Sequence, residues 1–418
     1  MRLTSLRPKL PSPRRAAAIA SVLLSLTLAS TALTPSVPAP ASVAAAATAA
    51  RPAQVGLVSF VGAALTSDGK ASLTVSWPAV KTAVSYEVFV GTTYANVLTQ
   101  KTARVTTRTT KAVVPGLTRG KDYFVQVRAV NAKGKAGNKS SRVGHGTILA
   151  EGSGSATKYS LLTWNICSNK CSGFSARQKL INARIVELSP SMVTLQEATE
   201  YTKAPTGYGF AYKGRSTVLY DKDVFSLAVT GEQTVPSAKY APAGGGISWG
   251  VLKDKSTGRL SVVFSTHLKS GDSKSSVRQR VYEAGKIATV VRSTMAMLRV
   301  EYPKLAWDTA ATFVAGDINS NKSRTTDGTI AAIEKTGWHD AFDQARVLVK
   351  QHQNSANGSM STTPRLGITW GDHIDQVLVQ PSKTVVLKWS NVQKMSKGKY
   401  VKLASDHLPI MVTLRTNP

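Results

Sequence analysis

The stretch Ser405-Asp406-His407-Leu408-Pro409, near the end of this 418-residue chain, places an acid and an imidazole directly before an apolar run. Upstream, similar polar fragments border runs rich in β-branched residues, of the length that is typical of buried strands. These fragments are Trp164-Asn165-Ile166, Gln196-Glu197, Thr266-His267-Leu268, Gly316-Asp317-Ile318-Asn319 and Ile374-Asp375. Because a central sheet delivers the side chains at its strand ends to one edge, we expect the six fragments to converge.

The polar residues of these fragments suit a metal-dependent site. The chain has 23 Asp and Glu against 53 Lys and Arg, so acids placed repeatedly at strand ends indicate selection for such a site. Mg²⁺ prefers carboxylate and amide oxygens with retained waters, whereas zinc would want more nitrogen and sulfur ligands. The sequence therefore predicts Mg²⁺, with Mn²⁺ or Ca²⁺ as alternatives.

The six fragments also carry a resemblance. In this order, over residues 159–415, they resemble the endonuclease/exonuclease/phosphatase family, which includes pancreatic-type deoxyribonuclease, abasic-site endonucleases, sphingomyelinases and inositol-polyphosphate phosphatases. The resemblance implies an α/β fold, a four-layer αββα sandwich with the site at one end of the paired sheets. It also implies a hydrolase acting on phosphoric ester bonds.

The family's metal and water positions map onto five residues of this chain. The resemblance implies that Glu197 is the main metal ligand, helped by Asn165 and Asp406. It further implies that Asp317 and Asn319 orient the attacking water and steady the phosphate. These roles supply the cation and the base that phosphodiester hydrolysis needs.

Two histidines map onto the family's imidazole positions. His407 would stand at the scissile phosphate, oriented by Asp375, since a carboxylate behind an imidazole raises its basicity. His267 would contact the phosphate or assist the leaving oxygen. Which histidine acts as acid or base stays open, and Asp375 as a strand-end cap or His267 as a packed histidine are the alternatives.

The basic and sulfur-containing residues near the fragments allow two interpretations each. Phosphate contacts are expected from three arginines, Arg177, Arg278 and Arg280, although this charge pattern equally fits solvated helix faces. Cys167 and Cys171 are the only cysteines, and in an oxidising compartment we expect a disulfide that closes this small loop. A metal-thiolate pair is the alternative, but no further cysteine exists to complete it.

The ends and the composition indicate an exported protein in two globular parts. Residues 1–49 have a basic head, an apolar stretch and an A-x-A site, which predict a signal peptide rather than a membrane anchor. Residues 53–147 resemble a fibronectin type III domain, with Trp77, Tyr86, Leu117 and Tyr123 at its core positions. Residues 148–158 are a predicted linker, and residues 159–416 are the predicted catalytic domain.

The formal net charge of +30 favours polyanionic partners. We therefore predict a secreted, monomeric phosphodiesterase, a nuclease acting on DNA rather than RNA, without a transmembrane anchor in the mature chain. An anionic cell-surface polymer is a further candidate partner, bound through the basic charge or the fibronectin type III-like domain. The alternatives are a phospholipid or sphingomyelin phosphodiesterase, a phosphomonoesterase, and, from another class, a non-catalytic surface-binding protein.

Overall fold

The computed structural model describes residues 50–149, 157–235, 246–324, 326–367 and 372–416. The predicted signal peptide and residues 150–156 of the predicted linker lie outside these ranges. None of the helices in the described ranges combines the length and the apolarity that crossing a membrane requires.

Residues 59–146 build a sandwich of two antiparallel sheets, because alternate residues of their strands are apolar. The strands are β1 (Ser59–Leu65), β2 (Ala71–Ser76), β3 (Ser85–Gly91), β4 (Val105–Thr107), β5 (Lys111–Leu117), β6 (Asp122–Val130) and β7 (Val143–Gly146), with a short helix α1 (Asn96–Thr99). They are ordered β1-β2-β5 and β4-β3-β6-β7. Trp77, Tyr86 and Leu117 are buried as predicted. The Tyr123 hydroxyl accepts a hydrogen bond from the Thr118 backbone N–H at 2.9 Å, which is the tyrosine corner of this kind of sandwich.

The rest of the chain forms two larger sheets that pack face to face. Its strands are β8 (Lys158–Asn165), β9 (Met192–Gln196), β10 (Tyr208–Tyr212), β11 (Thr217–Asp221), β12 (Phe225–Thr234), β13 (Gly246–Asp254), β14 (Leu260–His267), β15 (Ala311–Asp317), β16 (His339–Asp340), β17 (Leu348–Val349), β18 (Asp375–Val379), β19 (Thr384–Asn391), β20 (Met395–Ser396), β21 (Lys399–Tyr400) and β22 (Ile410–Thr416). One sheet is ordered β10-β11-β9-β8-β22-β19-β17 and the other β12-β13-β14-β15-β18-β16, while β20 and β21 form a hairpin.

Helices cover the outer face of each large sheet. They are α2 (Phe174–Leu188), α3 (Lys274–Glu301) and α4 (Thr329–Glu334), whereas α5 (Ala341–Gln344) adds Ala341 and Phe342 to the apolar cluster that lies between the sheets. Helix α2 buries Ile181 and Ile185 against the seven-stranded sheet, and α3 buries Ile287 and Leu298 against the six-stranded sheet. A third apolar cluster lies between the sheets. The fold is therefore the αββα sandwich that the resemblance implied.

The N-terminal sandwich packs directly on the larger part. The backbone N–H of Phe60 donates to Gln351 Oε1 at 2.8 Å, and His352 Nε2 lies 2.6 Å from the Val58 carbonyl oxygen. The His145 ring lies between Phe60 and Phe342, with centroid distances of 4.9 and 5.7 Å. Shared aromatic packing makes the apolar core continuous across this interface.

Candidate active site

Strand pairing brings the predicted site residues to one edge of the two large sheets. In the six-stranded sheet, His267 pairs with Asp317 in the parallel register of β14 and β15, and Asp317 pairs with Asp375 across β15 and β18. In the facing sheet, Asn165 pairs with Gln196 where β8 and β9 end. Each predicted fragment therefore lies at a strand end, and the two sheets present their fragments to each other.

Asp317 stands at the centre of this cluster. Its Oδ2 lies 3.0 Å from Asn165 Nδ2, 3.4 Å from His267 Nε2 and 3.8 Å from His407 Nε2. Asn165 Nδ2 also lies 3.2 Å from Glu197 Oε1, so this amide links the carboxylates of the two sheets. Glu197 and His407 thus belong to one polar cluster, as the six-fragment interpretation requires.

Asp375 fixes the orientation of His407. Its Oδ2 lies 2.9 Å from His407 Nδ1, so the Nε2 of the ring is directed towards Asp317. Burial by itself lowers the pKa of His407, but the negative charges of Asp375 and then Asp317 outweigh it and raise the pKa to about 10. Burial raises the pKa of Asp375, against the opposing effect of His407. Asp375 is therefore the partner of an imidazole rather than a strand-end cap.

The backbone of the site is unusual at three positions. A Cβ on Gly316 would lie 1.8 Å from the Thr266 carbonyl oxygen, so only glycine permits β14 and β15 to approach this closely. Glu197 and Asn319 have φ values of 50° and 54°, in the left-handed region that non-glycine residues rarely adopt. Such conformations cluster at functional sites, where the surrounding structure holds them.

Asn319 supports Asp317 directly. Its backbone N–H donates to Asp317 Oδ1 at 2.9 Å, and its Nδ2 donates to the Leu268 carbonyl at 3.0 Å. The left-handed turn after β15 therefore holds the Asp317 carboxylate in one orientation. That Asp317 and Asn319 orient the attacking water and steady the phosphate remains a prediction. Both residues lie in the polar cluster, as that role would require.

The donor set fits a hard divalent cation. Glu197 Oε2 and Asp375 Oδ1 are buried and have no hydrogen-bond partner among the described residues, which is costly for an acid unless another group binds it. Ligand atoms of Asp317, Asp375 and His407 all lie within 4.8 Å of one another. Carboxylate oxygens of this kind are ligands that divalent cations use in proteins.

All three predicted metal ligands stay predictions, and their surroundings differ. Asn165 directs its Nδ2 at the carboxylates, because its Oδ1 accepts the Cys167 backbone N–H at 3.0 Å. Asp406 groups with the two cysteines and accepts a hydrogen bond from the Ser405 hydroxyl at 3.2 Å. Glu197, with its unpartnered oxygen, is the ligand that the geometry favours.

The phosphate contacts predicted for Arg177 and Arg280 are wrong. All five N–H groups of Arg177 are used by backbone carbonyls, those of Ser172, Ile166, Ala404, Cys167 and Cys171. Arg280 is 1% exposed; it binds Asp327 Oδ2 at 2.6 Å and the carbonyls of Lys269 and Gly271. Both guanidinium groups are structural. Arg278 is exposed on α3, and its role stays a prediction.

The cysteines form the predicted disulfide, with a Cα–Cα distance of 5.5 Å. Sequence reasoning missed Lys170, which lies inside this disulfide-closed loop and places its Nζ 3.2 Å from Glu197 Oε1. The signal was present in the sequence, since the loop begins two residues after Asn165 and so had to lie beside the site.

One protein-family model matches part of the chain. Residues 62–144 match the fibronectin type III domain model, so this segment is a fibronectin type III domain. No curated protein matches the chain.

Solved structures of the endonuclease/exonuclease/phosphatase family are the structural neighbours. A Bacteroides thetaiotaomicron protein of that family has 19% identity and a TM-score of 0.47, covering 63% of this chain and 97% of its own. A mannosyl-6-phosphatase from Bacteroides thetaiotaomicron has 18% identity and a TM-score of 0.45, covering 61% and 99%. D. rerio TDP2, complexed with single strand DNA product, has 16% identity and a TM-score of 0.43, covering 62% and 99%. These likenesses are weak, and the assignment of the site rests on the contacts described above.

Proposed function

We propose that this protein is a secreted, Mg²⁺-dependent phosphodiesterase that hydrolyses DNA. The reaction would take place at the polar site around Asp317, where the β-strands of the two large sheets end. The observation that carries the proposal is the convergence of groups from three separate sequence fragments on a carboxylate from a fourth. Asp317 Oδ2 lies within 3.8 Å of Asn165, His267 and His407. Buried charged clusters are often no more stabilising than well-packed apolar residues of similar volume, so a catalytic role accounts better for a buried carboxylate between an amide and two imidazoles.

Glu197 would hold the divalent cation. When bound, that cation supplies charge neutralisation at the phosphoryl group and activates water. Asp317, fixed by the Asn319 backbone N–H, is positioned to orient that water and accept its proton. Asn165 keeps the carboxylates of Asp317 and Glu197 adjacent.

The two imidazoles then serve the phosphoryl oxygens. His407, held by Asp375 on one side, offers Nε2 as a charged donor to the oxygen on which negative charge develops. His267 Nε2 faces the same space, with its side chain 6% exposed. Together they supply the fixed donors that phosphodiester cleavage needs, in a site from which most water is excluded.

The net charge of +30 supports DNA as the substrate, because phosphate neutralisation dominates the affinity for nucleic acid. The N-terminal basic and apolar segment supports secretion. The Cys167–Cys171 disulfide agrees with an oxidising compartment.

The test is a substrate panel run with Mg²⁺ and with chelator. Purified protein is incubated with supercoiled plasmid, RNA, sphingomyelin, p-nitrophenyl phosphate and bis(p-nitrophenyl) phosphate. We expect metal-dependent plasmid nicking that His407→Ala abolishes and that the control His339→Ala, outside the site, retains. Turnover of sphingomyelin or of the monoester without nicking would replace the proposal by the lipid or phosphomonoesterase alternative, and cleavage that survives chelation would refute the metal.

A further inference from the structure

The loop between Cys167 and Cys171 is held by far more contacts than a surface loop needs. The disulfide closes the loop, and the Arg177 guanidinium donates hydrogen bonds to the backbone carbonyls of both cysteines. The backbone N–H of Ser168 donates to the Glu197 carbonyl at 2.9 Å. The loop backbone is therefore fixed to the same residues that build the site.

Lys170 is the residue that this loop presents to the site. Its Nζ lies 3.2 Å from Glu197 Oε1, yet its side chain is 61% exposed, so the ammonium group stands at the boundary between the cluster and solvent. An ion pair this exposed contributes about 0–1 kcal/mol of stability. Stability alone therefore does not explain why a doubly fixed loop holds a lysine at the carboxylate.

We propose that Lys170 is a substrate-binding residue whose ammonium group contacts a phosphate oxygen of the substrate, positioned by the disulfide-closed loop. This inference rests on the proposed function. A divalent cation bound at the unpartnered Oε2 of Glu197 would neutralise that carboxylate and weaken its attraction for Lys170 at Oε1, so the ammonium group would become available to an anion beside it. Lysine is suited to this task, since it is a compact charge with three donors on a flexible stem.

The rest of the site needs such a group. The carboxylates Glu197, Asp317 and Asp375 repel a phosphodiester, and the buried guanidinium of Arg177 has no free donor to offset them. A charge-assisted hydrogen bond from the loop to the phosphate would offset part of this repulsion.

The experiment compares Lys170→Met, Lys170→Arg and a control, Lys179→Met, which removes an exposed lysine from the neighbouring helix α2. With bis(p-nitrophenyl) phosphate and Mn²⁺, we expect Lys170→Met to raise KM and the inhibition constant of inorganic phosphate about tenfold, the typical value of one charged hydrogen bond. The kcat should change much less, Lys170→Arg should restore most of the affinity, and Lys179→Met should behave as the wild type.

Calorimetric titration with Mn²⁺ alone gives a readout independent of turnover. Lys170→Met should bind Mn²⁺ at least as tightly as the wild type, because an ammonium group that competes for Glu197 has been removed. If Lys170→Met leaves KM and phosphate inhibition unchanged while the wild type is active, this inference fails and the proposed function stands. If Mn²⁺ binding weakens enough to explain the KM change, Lys170 acts on the metal and the inference also fails. A wild type inactive on every substrate of the panel overturns both proposals.

The loop itself is tested with the double variant Cys167→Ala/Cys171→Ala, which keeps Lys170 but opens the ring. We expect a rise in KM in the same direction as for Lys170→Met, with the fold checked by circular dichroism. A folded double variant with wild-type KM would show that the disulfide does not position Lys170.

Discussion

Two acidic clusters lie close together in this molecule, and they differ in where their positive charge comes from. At the site, Glu197, Asp317 and Asp375 have imidazoles and an amide as partners, with an ammonium group only at the rim. At the interface with the fibronectin type III domain, Lys322 Nζ lies within 3.2 Å of three carboxylates, those of Asp122, Glu334 and Asp343. The Lys322 ammonium group is the common partner of the three interface carboxylates, which makes that cluster structural. At the site, the imidazole of His407 is the buried partner of Asp375 and Asp317, while Glu197 Oε2 has no partner among the described residues, which supports the proposed metal there.

The largest difference between the clusters should appear when one carboxylate in each is exchanged for an amide. The exchange at the site should reduce activity, and the exchange at the interface should reduce stability. Asp317→Asn is expected to lower the rate of phosphodiester hydrolysis about 10³-fold, because the proton acceptor of the water is lost. Asp343→Asn should keep most of the activity and lower the free energy of unfolding by about 1–3 kcal/mol, since a buried partner of Lys322 is lost. Rates and urea unfolding curves of both variants check this. Equal loss of activity in the two variants would contradict the division into a catalytic cluster and a structural one.

Replacing Lys322, the cation of the interface, should destabilise the folded protein more than any other single substitution there. Lys322→Met leaves three carboxylates without their common partner, and we expect about 3–5 kcal/mol of lost stability. Lys322→Arg, which keeps the charge, is the control and should lose less. If Lys322→Met is as stable as the wild type in chemical unfolding, the interface cluster does not hold the two domains together.

The stability that the interface contributes should also decrease at acidic pH. Burial lowers the pKa of His145 to about 4 from its usual 6.5. Above pH 6.5 the histidine is neutral in both folded and unfolded protein. Below it the unfolded chain binds a proton that the folded one does not, so stability falls between pH 6.5 and 4. A shift of this size costs about 3 kcal/mol at the acid end.

His145→Phe removes this titration while keeping a ring between Phe60 and Phe342. Unfolding free energies at pH 7.5, 5.5 and 4.5 should therefore fall less steeply for the variant than for the wild type. Parallel pH profiles would mean that His145 titrates normally in the folded protein.

The smallest effect is expected at Arg278, which is exposed on α3. If it contacts DNA, Arg278→Ala should reduce the slope of log affinity against log salt by about 1. Stability should stay within about 0.5 kcal/mol, as for most surface substitutions. An unchanged slope in filter-binding or anisotropy titrations would favour the solvated helix face that the sequence equally allows.

The same two clusters show what sequence reasoning can reach. The strand-end fragments predicted the site and the fold because each fragment is local: β15 ends in Asp317 and places Asn319 two residues later, whatever the rest of the chain does. The interface cluster could not be predicted, since Asp122 and Lys322 lie 200 residues apart. Nothing local indicates that a fibronectin type III domain shares a core with the domain after it.

The sequence also did not show which basic side chains are buried. Arg177, Arg280 and Lys170 are all basic residues near the fragments, and charge alone assigned the first two to phosphate. In the fold, both arginines are buried and bind backbone carbonyls or Asp327, whereas Lys170 remains exposed at the site. Which basic residue is free depends on packing between elements distant in sequence, and periodicity does not report it.

Anomalous diffraction from crystals soaked in Mn²⁺ compares the two acidic clusters in one measurement. We expect an anomalous peak bound by Glu197 where the β-strands end and none beside Lys322. A peak at the interface, or no peak within bonding distance of Glu197 at saturating Mn²⁺, would refute the proposed metal site.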